Sequence, residues 1–124
     1  MYDQPAIREL VAIVREFLER QAMPALEGRV AFHARVAANA LGIVERELEQ
    51  GAAADEAERE RLRALLGTDG SLDALNRELC RRLRSGDLTP ETVGLVDHLR
   101  ATTLAKLAVD QPRYSGYRRA LGED

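Results

Sequence analysis

The chain has no tryptophan, a single cysteine, and aromatic residues at only 4%. Four prolines and nine glycines in 124 residues are too few for a collagen-like or low-complexity chain. Cys80 alone cannot close an internal disulfide, and it excludes a multi-cysteine zinc centre held within one chain. No apolar run approaches the roughly 20 residues a membrane-spanning helix needs. The longest uncharged apolar stretch, Val36 to Val44, is interrupted by Asn39. Met1-Tyr2-Asp3-Gln4-Pro5 is not the basic start and apolar stretch of a secretory signal, so a cytoplasmic protein with no membrane partner is expected. Lysine is nearly missing: of 18 basic residues all but Lys106 are arginine, a bias typical of GC-rich bacterial genomes. With 21 acidic residues the net charge is −3, and no segment is basic enough for counterion release to drive nucleic-acid binding.

What is present reads as a soluble globular chain, 45% apolar and 31% charged, of a length that suits a single domain over residues 1–124. The apolar period is helical throughout, with no alternating strand pattern. The first helix should begin near Pro5 with Asp3 or Gln4 as cap, and bury Ile7, Leu10, Val11, Val14, Phe17 and Leu18. Glu16 and Arg20, four apart, belong to its wet side. Met23-Pro24-Ala25-Leu26-Glu27-Gly28 should break it. A second, central helix is expected over about Arg29 to Gln50, with Gly51 as a left-handed C-terminal cap. Its broad apolar arc includes Val30, Ala34, Val36, Ala37, Leu41, Val44 and Leu48. A third spans about Asp55 to Leu66. Ser71 should cap a fourth, whose Leu72, Leu75, Leu79 and Leu83 form a narrow stripe. Thr89-Pro90-Glu91 reads as cap, first residue and first-turn acid of a fifth helix that Pro112 stops. An all-α antiparallel bundle of about five helices with a short C-terminal tail follows.

Several polar residues sit where a core is expected. His33 lies near the centre of the second helix's apolar arc, which predicts a buried, hydrogen-bonded imidazole or an acid–base and ligand-contacting one. Arg35, Asn39, Gly42 and Arg46 form the opposite stripe, either a solvent face or the place where another helix or a partner chain crosses at Gly42 and takes hydrogen bonds from Arg35 and Asn39. On the fifth helix Val93, Val96, Leu99, Leu104 and Leu107 mark the expected buried arc. Arg100 and Thr103 fall inside it, Asp110 near its edge, and Lys106 four residues before Asp110. Burying unpaired charge costs several kcal/mol, so these predict a structural ion network or a ligand site between the second and fifth helices. Arg77, Arg81 and Arg84 read as a solvated face. Arg113, Tyr114 and Tyr117 either cover the end of the bundle or offer a partner surface.

Familiar catalytic patterns do not occur. There is no glycine-rich phosphate loop, no Gly-x-Ser-x-Gly elbow and no His-Glu-x-x-His pair. Val30 and Leu95 stand three residues before His33 and His98, where a di-iron bundle carries glutamate. Cys80 flanks the leucine stripe and reads as inert packing. No catalytic residue, metal or cofactor is therefore expected.

The segments His33-Ala34-Arg35-Val36-Ala37-Ala38-Asn39-Ala40-Leu41 and Leu99-Arg100-Ala101-Thr102-Thr103-Leu104-Ala105-Lys106-Leu107, running into Asp110-Gln111-Pro112-Arg113-Tyr114, carry a resemblance. With Tyr2-Asp3-Gln4-Pro5 and Leu75-Asn76-Arg77-Glu78-Leu79-Cys80, they resemble a family of short bacterial proteins known only as a domain of unknown function. The likeness spans nearly the whole chain. It implies genes beside aminoglycoside-phosphotransferase-like kinases and acyl-CoA dehydrogenase-like enzymes, and supplies no active site to carry over. The expectation is a non-catalytic accessory protein whose partner is such a kinase or dehydrogenase, or a second copy of itself. The alternative is a bundle that binds a small anionic or acyl ligand, with His33 as an acid–base group.

Overall fold

The computed structural model describes residues 5–123, and every regular element among them is helical. The chain divides into two compact units, Met1–Gly51 and Ala52–Asp124.

In the first unit, α1 (Ile7–Phe17) starts at Ala6, whose N–H donates to the Glu9 carboxylate at 3.3 Å. The expected caps Asp3 and Gln4 lie outside the described residues. The helix does not stop at Met23, as the sequence predicts. A π-helical turn, Leu18–Ala22, carries it into α2 (Met23–Ala25). Pro24 explains the turn: it has no N–H to give, and in a regular α turn its ring would strike the Arg20 carbonyl. Widening the turn, with the Met23 N–H reaching back five residues to the Leu18 carbonyl, relieves both problems. The chain reverses at Leu26, which is extended, and Gly28, at φ 63°.

α3 (Gly28–Leu66) is one helix of 39 residues where two were expected. Gly51 does not adopt a left-handed cap. Glycine inside a helix costs only about 1 kcal/mol, and three alanines, the best helix formers, follow it.

α1 runs antiparallel to the first part of α3: Arg8 pairs with Glu49 at 3.9 Å, and Arg15 Nε with Glu45 at 2.7 Å. The surfaces that meet are small. Ala38 and Gly42 are buried and Ala31, Ala34 and Leu41 half-buried, so a helix does cross at Gly42. Of the large side chains expected to be buried, Val11, Leu18 and Leu41 are half-buried, and the burial of the others is corrected. Ile7, Leu10, Val14 and Phe17 are 43–53% exposed, and Val30, Val36, Val44 and Leu48 are exposed as well. Two helices share one interface, which is narrower than the apolar arc either helix carries.

The second unit holds the core. Leu62 and Leu66 from the end of α3 and Leu75 and Leu79 from α4 (Leu72–Ser85) pack with Leu88 and Leu95. Ser71 caps α4 as expected, its Oγ accepting from the Ala74 N–H at 3.1 Å, and Gly86 at φ 82° ends it. The α3–α4 turn is fastened by Asp69, which accepts from the Gly70 N–H at 2.7 Å and pairs with Arg59 and Arg63. Arg82 donates to the Leu66 carbonyl at 2.9 Å, satisfying one of the last groups of α3, and pairs with Glu78. Arg81 and Arg82 together hold the Glu78 carboxyl down to about 2.

α5 (Leu95–Asp110) begins five residues later than Thr89-Pro90-Glu91 predicts. Thr92 closes a turn instead: its N–H donates to the Thr89 carbonyl and its Oγ1 accepts from the Thr89 N–H, both at 2.9 Å. Gly94, at φ 90°, then turns the chain into the helix. The buried side of α5 is also corrected. Leu95, His98 and Val109 are buried, with Thr102 and Ala105 half-buried between them, whereas Val93, Val96 and Leu99 are exposed. α6 (Ser115–Ala120) closes the chain.

Candidate functional site

Because α5 turns Leu95, His98 and Thr102 inward, its other apolar row is left outside. α6 folds back beside that row and makes one wall of an open groove of about 410 Å³. Leu104 and Leu107 line it along with Val96 and Leu99, which are 55% and 42% exposed. Tyr114, 51% exposed, forms part of the α6 side. Arg100 and Thr103, both expected inside a buried arc, are exposed residues of this groove. That placement is a correction, and its reason is the side of α5 that meets the leucine core.

Each polar residue of the groove has a local duty. Arg100 Nη2 donates to the Ala120 carbonyl at 3.2 Å, tying the end of α6 to α5. A cation at a helix C-terminus is favourable for the helix dipole and leaves other guanidinium N–H groups toward solvent. The Thr103 hydroxyl donates to the Leu99 carbonyl at 2.8 Å, its own helix four residues back. The groove therefore offers an apolar lining with one fixed positive charge on its rim. That arrangement can receive apolar side chains flanked by an acid, or an acyl chain with an anionic end.

A second polar group escaped the sequence reading. His98 is only 3% exposed, and Arg61 Nε donates to its Nδ1 at 3.3 Å. Arg61 Nη2 reaches Thr102 Oγ1 at 3.1 Å. Glu58 accepts from Asn76 Nδ2 at 3.0 Å on the same stretch of α3. With Nδ1 accepting, the imidazole is neutral and carries its proton on Nε2. Burial and the adjacent Arg61 charge lower its pKa, partly offset by Glu58. This cluster anchors α5 to the end of α3. Position 98 was weighed only as a metal ligand. The signal available was the row 95, 98, 102, 105, 109, whose two polar members require a partner such as Arg61.

The remaining expected residues are scattered. His33, Arg35 and Asn39 lie on α3 in the first unit, all exposed, so the burial expected of His33 is corrected; its ring meets Phe32 edge-on, with centroids 5.6 Å apart. Lys106 and Asp110 are exposed on α5 in the second unit. Arg113 is exposed and Tyr117 half-buried. Cys80 is exposed rather than packed. Among the described residues, no three His, Cys, Asp or Glu side chains gather as a metal site, and no helix is long and apolar enough to cross a membrane.

Residues 24–114 match the model of a family described as a domain of unknown function. No curated protein and no solved structure matches the chain.

Proposed function

We propose that this chain, which belongs to the family of the domain of unknown function DUF6285, is a non-catalytic helical accessory protein. Its partner is a phosphotransferase-like small-molecule kinase that works in acyl-CoA or lipid breakdown, or an acyl-CoA dehydrogenase-like enzyme of the same process. The observation that carries the reading is the groove of α5 and α6. Its apolar lining stands half-open to solvent, a large aromatic side chain borders it, and a positive charge marks its rim. Interfaces concentrate their energy in such features: a few large apolar anchors, an aromatic and an arginine. Arg113 and Tyr114 then belong to the docking surface.

Co-expression of the tagged chain with a phosphotransferase-like kinase from the same genome tests the proposal. The kinase should co-purify at micromolar concentration, and Leu99→Asp or Tyr114→Ala should abolish capture without changing helicity. A kinase that elutes apart from the unmodified chain overturns it. A second reading, a small acyl or anionic ligand, draws on the same groove volume with Arg100 at its edge. A fatty acid added to the purified chain should then compete with the kinase, and Arg100→Glu should weaken its binding at least tenfold.

A further inference from the structure

The first unit has a different unpartnered surface, whose layout follows from the register of its two helices. Arg8–Glu49 and Arg15–Glu45 make α1 and α3 antiparallel. The less exposed positions give the contact line: Val11, Arg15 and Leu18 on one helix, Ala31, Ala34 and Ala38 on the other. In two antiparallel right-handed helices, the residues one position before each contact residue fall on the same side of the pair. For α1 these are Leu10, Val14 and Phe17, with Ile7 a turn earlier, all exposed. For α3 they are Val30, His33, Ala37, Ala40 and Val44, also all exposed. Both series alternate steps of three and four, the seven-residue spacing of bundle seams. The opposite side is more polar, with Glu16 and Glu19 on α1 and Arg35, Asn39 and Arg46 on α3, and Phe32 and Ile43 as its large apolar residues.

We propose that this side is the dimer interface of the protein, and that its occupant is the same side of a second copy, the two hairpins closing into an antiparallel four-helix bundle. Charge supports a second copy. Arg29 stands four residues before His33 at one end of this side, and Glu47 three residues after Val44 at the other. A two-fold axis near Ala37 lays the basic end of one α3 against the acidic end of the other, and brings Val30 opposite Val44. Small residues at the axis, Ala37 and Ala40, allow the helices to approach to about 8 Å. The size is also adequate. A Leu, Val or Phe side chain presents roughly 60–120 Å² of apolar surface. The half-exposed side chains of this side, with the alanines and the imidazole, bring roughly 500 Å² per chain. Two copies then bury about 1,000 Å², the size from which specific interfaces begin.

The proposal is independent of the kinase reading, because it concerns a different unit. Sedimentation equilibrium at 1–100 micromolar (roughly the range of cellular association) should give twice the 13.8 kDa chain mass. Ala37→Glu, at an exposed position, should return a 13.8 kDa species with unchanged helicity. Arg29→Glu should weaken the dimer at least tenfold, and adding Glu47→Arg should restore it. A wild-type chain that stays monomeric overturns the proposal, as does a dimer that Ala37→Glu leaves intact. Kinase capture measured on Ala37→Glu keeps the two proposals apart: its loss or retention bears on the groove, not on the dimer mass.

Discussion

Leu95 and Leu99 sit four residues apart on α5, and the periodicity of the sequence and the structure disagree about which one matters. The sequence places Leu99 in the buried arc. In the structure Leu95 is 2% exposed inside the leucine cluster, whereas Leu99 is 42% exposed on the groove. Truncating a fully buried leucine removes its transfer free energy and leaves a cavity, about 2–5 kcal/mol together. Leu95 touches a core of few side chains, so little can move in to fill the space, and a loss of about 3 kcal/mol is expected for Leu95→Ala. A half-exposed leucine has given up only part of its contact with water, and Leu99→Ala should cost about 1 kcal/mol or less. For a unit of this size, 1 kcal/mol moves Tm by about 4–8 °C. Leu95→Ala should therefore melt more than about 12 °C below the parent, and Leu99→Ala within about 8 °C of it. Thermal and urea unfolding followed by circular dichroism read both. Equal losses for the two variants, or a larger loss for Leu99→Ala, would refute the assignment of the buried side of α5.

Two further outcomes follow from the same structure. His98 has its pKa lowered by burial and by Arg61, so the folded state resists the proton that the unfolded chain takes up near pH 6.5. Stability from this group is complete above that pH and is lost as pH falls below it, through the lowered value in the folded state. Urea midpoints measured from pH 7.5 to 5 should decline, and the decline should flatten in His98→Gln; a parent chain with no such slope would show that the imidazole is not buried beside Arg61. Gly51→Ala should stabilise the protein by about 0.5–1 kcal/mol, because the position is helical and glycine there only adds freedom to the unfolded chain. The atoms nearest the added Cβ belong to the Glu47 carboxylate, the far end of a flexible side chain that can swing away. Destabilisation in urea titration would mean that the helix is interrupted at residue 51.

Particular residues show how far sequence reasoning reached. Ser71 and the Leu75–Leu79 stripe were legible because each acts locally: a hydroxyl at a helix start, leucines four apart. Gly51 was misread because its cost as a helix residue is smaller than what the flanking alanines and glutamates contribute to continuity. Thr89-Pro90-Glu91 was misread because Thr92 and Gly94 offered the same backbone a competing turn. On the candidate site the sequence pointed to Arg100, Thr103 and Tyr114 one by one, and the structure assembles all three around one groove. It missed Arg61, His98 and Thr102, since a wheel ranks faces by apolarity and passes over a face whose polar groups satisfy each other.

The amino-acid order by itself determined that this protein is helical, where most of its helices lie, and which polar side chains break the apolar rows. Those properties depend on neighbours within a turn or two of the chain. Tertiary structure decided which apolar row of each helix is covered. It put Leu95 and His98 against the leucine core and left Val96 and Leu99 in the open, and it set Val11 and Leu18 of α1 against the alanines of α3 while leaving Leu10, Val14 and Phe17 exposed. That choice belongs to contacts between residues far apart in sequence, where the number of available partner surfaces, not the apolarity of a row, sets what can be buried.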